Sequence, residues 1–506
     1  MIAGRYLRAE CWSPRRVSST RLIDVRTKGP TCPSRSANRL AELVALRAPG
    51  ESDGGGIILD MSVYVPNQKE IAREERLLRD PVWQGERLVL SGLLRRLSDA
   101  SNDNEFFDVH VALVGRLKAR QNRLSELGVQ IISLRARRRE LAAMHPKPVA
   151  DLRVVQRELD DAEWEAEVQR DLHWLLLDVG DALVWRCLRF DRGAITALGQ
   201  GSRVAWLSDG TGWDAEISAV HDLWNDGVFA LMNDATTCLR LGDLTCCFSD
   251  HVEIREVKAG KLVDESDPQQ VRLREAITLI NDSKATVGGT RQAIVRCVDP
   301  YQTYLQDLSL ILDDAQRDGS AVSNVSRSQL IVATDLALGV DRPFGEAEAR
   351  LAAGWPADDI VMRWGSSVRR MRDRHHSFVY FAPLALLPLD IDTKVNLLLG
   401  QLDFTVWLNV SSVARFLRGR GLLAQPFGPP ESASWFMTAG KVYGNTLATV
   451  HIAPHMREVM ALELVTPAYM AKLADTLLTS LQENPQLVDE QAMVVPGDES
   501  TVWLSG

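Results

Sequence analysis

The stretch that decides the fold of the candidate site is residues 241–261, LGDLTCCFSDHVEIREVKAGK. Its second half has the pattern of a β-strand, in which successive side chains point to opposite faces. Val252 and Ile254 then share one face with Glu256 and Lys258. Two apolar residues are therefore followed by a carboxylate and an amine on the same, core-facing side. Charges on such a face cost free energy unless they are paired or bind a metal, so we predict a functional cluster here.

A preceding strand-like run brings a second carboxylate to this cluster. With Ser249 and Asp250 as the loop of a β-hairpin, counting outward from the loop pairs Asp243 with Glu256. Directly opposite residues share a face of the sheet, so the two carboxylates are expected to be neighbours. Two carboxylates suit Mg²⁺, which takes one or two of them together with waters and phosphate oxygens. An amine beside them can orient the water that attacks a phosphate.

Asp243 followed by Glu256-Val257-Lys258 resembles the motif of the PD-(D/E)XK nuclease superfamily, and the flanking pattern is similar. The core of that superfamily is the restriction-endonuclease-like αβββαβ arrangement. In this chain the same order corresponds to helix 213–224, strands 227–233, 239–248 and 251–258, helix 268–282 and a later strand, 329–334. The resemblance covers residues 205–340, about a quarter of the chain.

The resemblance implies a role for each residue of the motif. Asp243 and Glu256 correspond to ligands of a catalytic Mg²⁺ ion, or Mn²⁺, with the Val257 carbonyl as a third ligand. Lys258 corresponds to the lysine that positions the attacking water. The implied activity is that of a metal-dependent endonuclease, a hydrolase that cleaves the phosphodiester bonds of DNA.

Two further residues correspond to positions that many members of the superfamily use. Glu216 lies on the helix before the strands, and Gln270, or Gln269, lies in the first turn of the helix after the lysine. One position departs from the pattern, because Gly242 rather than proline precedes Asp243.

Several alternatives stay open at the level of the sequence. A surface hairpin with a Glu–Lys ion pair, worth about 0–1 kcal/mol, explains the charges but not Val252 and Ile254 on the same face. The chain could instead be a coiled-coil interaction scaffold with an inactive nuclease fold, or a nuclease that cleaves RNA. A role in antiviral defence against foreign DNA, or in DNA repair, is a hypothesis that rests on the superfamily alone.

A chain of 506 residues exceeds what one core usually supports, so we predict a multidomain α/β protein. Residues 1–60 are expected to be a disordered basic tail, since positions 1–39 hold nine Lys or Arg residues and two acidic ones. Residues 61–195 are predicted to be a helical, coiled-coil module, and residues 196–340 the nuclease-like domain. Residues 341–506 are predicted to be an α+β domain of unknown role, with strands near 404–410 and 447–452 and helices near 343–353, 391–400 and 467–482.

The helical module is predicted to contain two long helices, 107–145 and 150–190, packed as an antiparallel hairpin. Apolar residues in the first helix recur at alternating spacings of four and three, as in a coiled coil, and Pro146 ends it. Residues 111–145 hold eight basic and two acidic residues, and residues 151–171 hold three basic and eight acidic ones. Opposite charge favours pairing of the two helices. A basic arm that contacts nucleic-acid phosphate and a parallel dimeric coiled coil are the alternatives.

Net charge, apolar runs and cysteine spacing over the whole chain limit the partners and the cell compartment that we expect. The net charge of −9 argues against a protein coated with basic surface, and no apolar run is long enough to cross a membrane. Seven cysteines without a CxxC pair suggest neither a zinc ribbon nor a disulfide framework. We therefore expect a cytoplasmic protein with DNA as its partner and no membrane interaction. A protein partner, or self-association through the helical module, stays open.

Overall fold

The computed structural model describes most of the chain between residues 68 and 503. The described ranges are 68–199, 211–248, 251–257, 268–287, 289–338, 343–365, 381–426, 436–444, 446–453, 455–488, 491–497 and 499–503. Three predicted features lie outside these ranges: the basic tail (residues 1–60), the hairpin loop at Ser249 and Asp250, and Lys258.

The described residues form a mixed α/β fold of many helices and several small sheets, which agrees with the predicted fold class at that level. The helices are α1 Gln68–Leu78, α2 Pro81–Asp99, α3 Asp103–Ala143, α4 Val149–Cys187, α5 Arg192–Leu198, α6 Thr211–Asn225, α7 Pro268–Asp282, α8 Leu305–Asp318, α9 Phe344–Gly354, α10 Ile391–Leu398, α11 Val410–Gly419, α12 His455–Leu462, α13 Pro467–Glu483 and α14 Ser500–Trp503. The strands are β1 Phe229–Met232, β2 Leu244–Cys247, β3 Val252–Arg255, β4 Lys284–Val287, β5 Thr290–Cys297, β6 Ser320–Asn324, β7 Gln329–Asp335, β8 Val361–Gly365, β9 Leu402–Asn409, β10 Leu423–Pro426, β11 Met437–Tyr443, β12 Thr446–Ile452 and β13 Gln491–Pro496.

The two long helices pack as an antiparallel hairpin, as predicted. Arg123, early in α3, forms an ion pair with Glu165, late in α4, with an N–O distance of 2.7 Å. Arg138, near the end of α3, donates to Gln156, near the start of α4, at 2.6 Å. Residue numbers therefore rise along one helix as they fall along the other. The basic arm pairs with the acidic one, whereas coiled-coil supercoiling of the pair stays a prediction.

The apolar residues of the hairpin form a cluster of their own. Leu127 and Leu134 of α3 pack against Val155 and Leu159 of α4, and all four are buried. The main core lies elsewhere and joins the lower part of the hairpin to α2, the strands and the C-terminal helices. The upper part of the hairpin is therefore held by its own seam. Among the described helices none is long and apolar enough to cross a membrane.

Within the described residues, the strands form four sheets. Their orders are β1-β2-β3, β10-β11-β12, β13-β5-β4 and β6-β7-β9-β8. β13 pairs in parallel with β5, and β9 pairs antiparallel with β7. Two sheets therefore contain strands from both sides of the predicted domain boundary at residue 340.

The later strand of the predicted αβββαβ core is present but does not join the expected sheet. β7 pairs with β6 along one edge and with β9 along the other. Both of its edges are therefore occupied, and it cannot extend the sheet of β1, β2 and β3. That sheet has three strands in the part of the chain that the structure describes. The expectation that 329–334 completes it is wrong.

Candidate functional site

The site is built at one edge of the antiparallel sheet of β1, β2 and β3. Met232, at the end of β1, lies opposite Leu244, at the start of β2. Leu244 in turn lies opposite Arg255, at the end of β3. This is the register predicted from the hairpin. Asp243, just before β2, and Glu256, just after β3, flank this last pair, and the N–H of Asp243 donates to the carbonyl of Arg255.

The backbone and side chain of Asp243 are held on three sides. Its N–H donates to the carbonyl of Arg255 at 3.0 Å, and its carbonyl accepts from the N–H of Asn233 at 2.9 Å. Its side-chain Oδ2 accepts from the N–H of Val257 at 2.6 Å. The carboxylate therefore has a defined position beside the chain that leaves β3, on the side of Glu256.

Gly242 gives the turn before Asp243 its shape. Its φ of +70° lies in the left-handed region, and a Cβ at this position would lie 2.4 Å from Cγ2 of Ile254. Glycine adopts such a conformation without steric cost, whereas proline is restricted to a φ near −65°. The departure from the proline of the superfamily motif therefore has a local structural reason. It also means that this turn differs from one that starts with proline.

Asn233 ties the same turn to the end of β1. Its Nδ2 donates to the carbonyls of Leu241 and Gly242, at 2.6 and 3.1 Å. Its Oδ1 accepts from the hydroxyl of Thr245 at 2.7 Å. The whole side chain is buried. Asn233 was not among the predicted site residues, and it positions Asp243 rather than offering a reactive group.

Glu216 approaches the sheet from α6. It belongs to the buried stripe of that helix, together with Trp213 and Val220, and is only 6% exposed. Its Oε2 is buried and makes no hydrogen bond among the described residues. Burial, together with the nearby carboxylates of Asp234 and Asp243, raises its pKa to about 8. At pH 7 in the absence of a cation, Glu216 is therefore mostly a neutral acid.

Asp234 is a carboxylate that the sequence motif did not identify. It follows β1 by two residues and raises the pKa of Glu216, so it lies at the same edge of the sheet. A signal was present in the sequence. In three antiparallel strands, the end of the first, the start of the second and the end of the third meet at one edge. An Asp after the apolar strand at 229–232 could therefore have been added to the predicted site.

For the remaining predicted site residues the structure gives position and burial but fewer contacts. Glu256 is half-buried directly after β3, and Val257 packs partly against the core. Gln270 lies in the first turn of α7, which packs against β3, and its Nε2 is buried without a hydrogen bond among the described residues. The carbonyl of Val257 as a metal ligand, and the role of Lys258, stay predictions.

A magnesium ion fits the chemistry of this edge, although its ligand set is small. The described residues contain no group of three or more His, Cys, Asp or Glu side chains that could hold a metal ion. Mg²⁺ does not require one, since it commonly takes one or two carboxylates and completes its shell with waters and phosphate oxygens. Asp243 and Glu256 are the predicted carboxylate ligands, and the pKa of Glu216 is raised by burial first and then by the charges of Asp234 and Asp243, which a cation would offset.

Comparison of the chain with known protein families, with curated proteins and with solved structures finds no match. The resemblance to the PD-(D/E)XK superfamily therefore depends on the motif residues and on their arrangement at this edge.

Proposed function

We propose that this chain is a Mg²⁺-dependent endonuclease that hydrolyses phosphodiester bonds of DNA. One observation carries the proposal: Asp243 lies at one edge of a sheet beside the buried carboxyl of Glu216, and Glu256 directly follows the strand that is paired there. A surface hairpin would not bury a third carboxyl against this edge. Carboxylates that repel one another there are costly to the fold unless a cation comes between them.

The proposed reaction is attack of water on the phosphorus atom. The bond from phosphorus to the leaving oxygen breaks, and that oxygen takes up a proton, which leaves one phosphomonoester end and one hydroxyl end. When bound, Mg²⁺, or Mn²⁺ in its place, neutralises charge on the phosphate and eases loss of a proton from the water. Asp243 is held by the Val257 N–H and by backbone bonds, so it needs little rearrangement to bind a cation. Lys258 orients the water, as the resemblance implies, and Gln270 offers its buried amide near β3.

The test is cleavage by the purified full-length chain. Plasmid, linear duplex, single-stranded DNA and RNA are incubated with Mg²⁺, with and without EDTA. Asp243→Ala is expected to lose both cleavage and the Mg²⁺-dependent rise in melting temperature. Lys258→Ala is expected to lose cleavage and keep the melting shift. Glu253→Ala is the control, because Glu253 is partly exposed and pairs with Arg255 on the other face of β3. Cleavage at the parental rate by both site variants would refute the proposal.

A second candidate belongs to a different class. The chain could act as an interaction scaffold through its helical hairpin, with an inactive nuclease fold. The small ligand set favours it, since no metal-binding group of three side chains occurs in the ranges described above. Calorimetry separates the two candidates, because a scaffold binds no Mg²⁺ at Asp243. The panel of DNA and RNA substrates described above distinguishes a nuclease that cleaves RNA from one that cleaves DNA.

We propose defence against foreign DNA, or DNA repair, as the biological setting of the nuclease.

A further inference from the structure

The tip of the helical hairpin has a charge opposite to that of the whole protein. The tip, residues 130–157, comprises the end of α3, the turn and the start of α4. It holds seven basic and two acidic residues, a net charge of +5, whereas the whole chain has a net charge of −9. The basic residues are Arg135, Arg137, Arg138, Arg139, Lys147, Arg153 and Arg157.

The tip is open to solvent. Residues 142–147 are all exposed, and the apolar seam beneath them is separate from the main core. An α-helix rises about 1.5 Å per residue, so the cations of the tip lie within roughly 20 Å of one another along the hairpin. They therefore form one compact positive surface rather than a charge spread along a helix.

Internal ion pairs do not cancel this charge. Below the tip, Arg123 is neutralised by Glu165 of α4. Within the tip, Arg135 pairs with Glu163 at 2.7 Å. Arg138, by contrast, donates to the neutral amide of Gln156.

The described contacts of the other tip cations do not offset their charge either. Arg139 donates to the backbone carbonyl of Arg135, which is also neutral. Arg137, Lys147 and Arg153 are exposed. Because most of its positive charge is not neutralised by carboxylates in the contacts described, the tip can bind an external anion.

We propose that the hairpin tip binds the phosphate backbone of duplex DNA and holds the substrate of the proposed nuclease at a second point. Six of its seven cations are arginines, whose planar guanidinium groups bind phosphate through two parallel hydrogen bonds. Duplex DNA carries one negative charge per roughly 1.7 Å of its axis with both strands counted, so a length of about 20 Å holds roughly twelve phosphates, of which one side faces the tip. The positive surface of the tip is argued from the structure alone, and only the choice of DNA as its ligand rests on the proposed function.

The chemistry of the tip favours nucleic acid over an anionic membrane. A helix that binds a membrane surface presents a continuous apolar face to the lipid. In this hairpin the apolar faces of both helices are used by the seam, where Leu134 packs against Val155 and Leu159. The end of the hairpin also exposes four apolar side chains, which alternate along the sequence with the basic residues: Ile132, Met144, Val149 and Val154. A surface dominated by arginines suits a polyanion bound through its phosphates, and the vesicle arm of the experiment below tests the lipid alternative.

The experiment measures DNA binding in EDTA, so that cleavage cannot interfere. Fluorescence anisotropy of a labelled duplex is recorded over a salt series with the full-length chain. The triple variant Arg137→Ala, Lys147→Ala, Arg153→Ala is compared with the parent. Each phosphate contact contributes about 0.9 to the slope of log Kd against log salt, so the slope should fall by roughly 2 to 3 and the affinity by tenfold or more.

The matched control removes three exposed arginines far from the tip in sequence: Arg350→Ala, Arg418→Ala and Arg420→Ala. It should keep the parental slope, and an equal loss in the two triple variants would overturn the proposal. Vesicles of phosphatidylserine and phosphatidylcholine form a second arm, and tip-dependent binding to vesicles without DNA binding would also overturn it. Tip-dependent DNA binding by a chain that never cleaves DNA would contradict the proposed function alone. Cleavage with unchanged binding in the tip variant would contradict this inference alone.

Discussion

The substitution Glu216→Gln removes a titrating group from the carboxylate edge and keeps its size. The pKa of Glu216 is raised from its ordinary value of 4.5 to about 8. The folded protein therefore binds this proton more tightly than the unfolded chain does. Its free energy of unfolding falls as the pH rises from about 4.5 to about 8 and is level above that range. A glutamine does not titrate, so the variant does not lose this free energy of unfolding as the pH rises.

The size of the effect follows from the two pKa values. One pKa unit is worth about 1.4 kcal/mol. The expected gain in free energy of unfolding for Glu216→Gln is under about 1 kcal/mol at pH 5, roughly 3 kcal/mol at pH 7 and roughly 5 kcal/mol at pH 9. The low exposure of the side chain leaves little room for solvent screening to reduce these values.

The assay is urea unfolding of parent and variant between pH 5 and pH 9, with and without Mg²⁺. In the absence of metal the variant should gain stability as the pH rises. With Mg²⁺ the parent should recover much of the difference, because binding to the folded state stabilises it. Glu253→Gln is the control, and its difference from the parent should not change over this range. The hydrogen bond from Arg255 lowers its pKa in the folded protein, so Glu253 is largely ionised in both states over this range. A flat difference between parent and Glu216→Gln would refute the electrostatic account of the edge.

Further predictions concern the fold around the site. Gly242→Ala should cost roughly 2–4 kcal/mol of unfolding free energy, from a positive φ and a clash with Ile254. Gly227→Ala, also at positive φ but in open space, should cost only about 1 kcal/mol in the same urea titration. Arg192→Met should cost roughly 3–5 kcal/mol, because its two buried glutamate partners lose their cation. Asp178→Asn should stabilise the protein above pH 7 by roughly 4 kcal/mol, since burial raises the pKa of Asp178 to about 7. The same gain at pH 4 would contradict that reasoning.

Local features of the fold were predictable from the sequence because their signals are local. The register of β2 and β3 follows from counting outward from a short loop, and the pairing of Leu244 with Arg255 confirms it. The helix that carries Glu216 and the helix that begins at Pro268 were expected from the order of elements that the resemblance implies, and both are present. The long hairpin follows from its seam and from the opposite charges of its arms. Arg120 and Arg138 occupy the two seam positions of α3 that are not apolar, and each donates to a glutamine of α4: Arg120 to Gln169 at 2.8 Å and Arg138 to Gln156 at 2.6 Å.

Features that depend on contacts between distant segments were not predictable in the same way. The partners of β7 are strands near residues 320 and 402, and nothing within β7 distinguishes them from β3. The pairing of β13 with β5 joins residues about 200 positions apart, which no local pattern encodes. Asp234 was missed for another reason. It belongs to the site only through the shared edge of three strands, not through the spacing of the D…ExK motif.

The setting of Glu216 differs from that of other buried acids in this chain, and the difference favours the proposed metal site. Asp181 is also buried, but the N–H groups of Thr237 and Cys238 donate to its carboxylate at 2.6 and 2.9 Å. Glu499 is buried against the guanidinium of Arg192. Glu216 instead has a buried oxygen without a hydrogen bond among the described residues, and two carboxylates act on it. A structural carboxylate gains donors or a cation from the fold, whereas this one is held on a buried helix face and needs either a proton or a cation from solution. That requirement supports a metal ion at this edge more directly than the motif does.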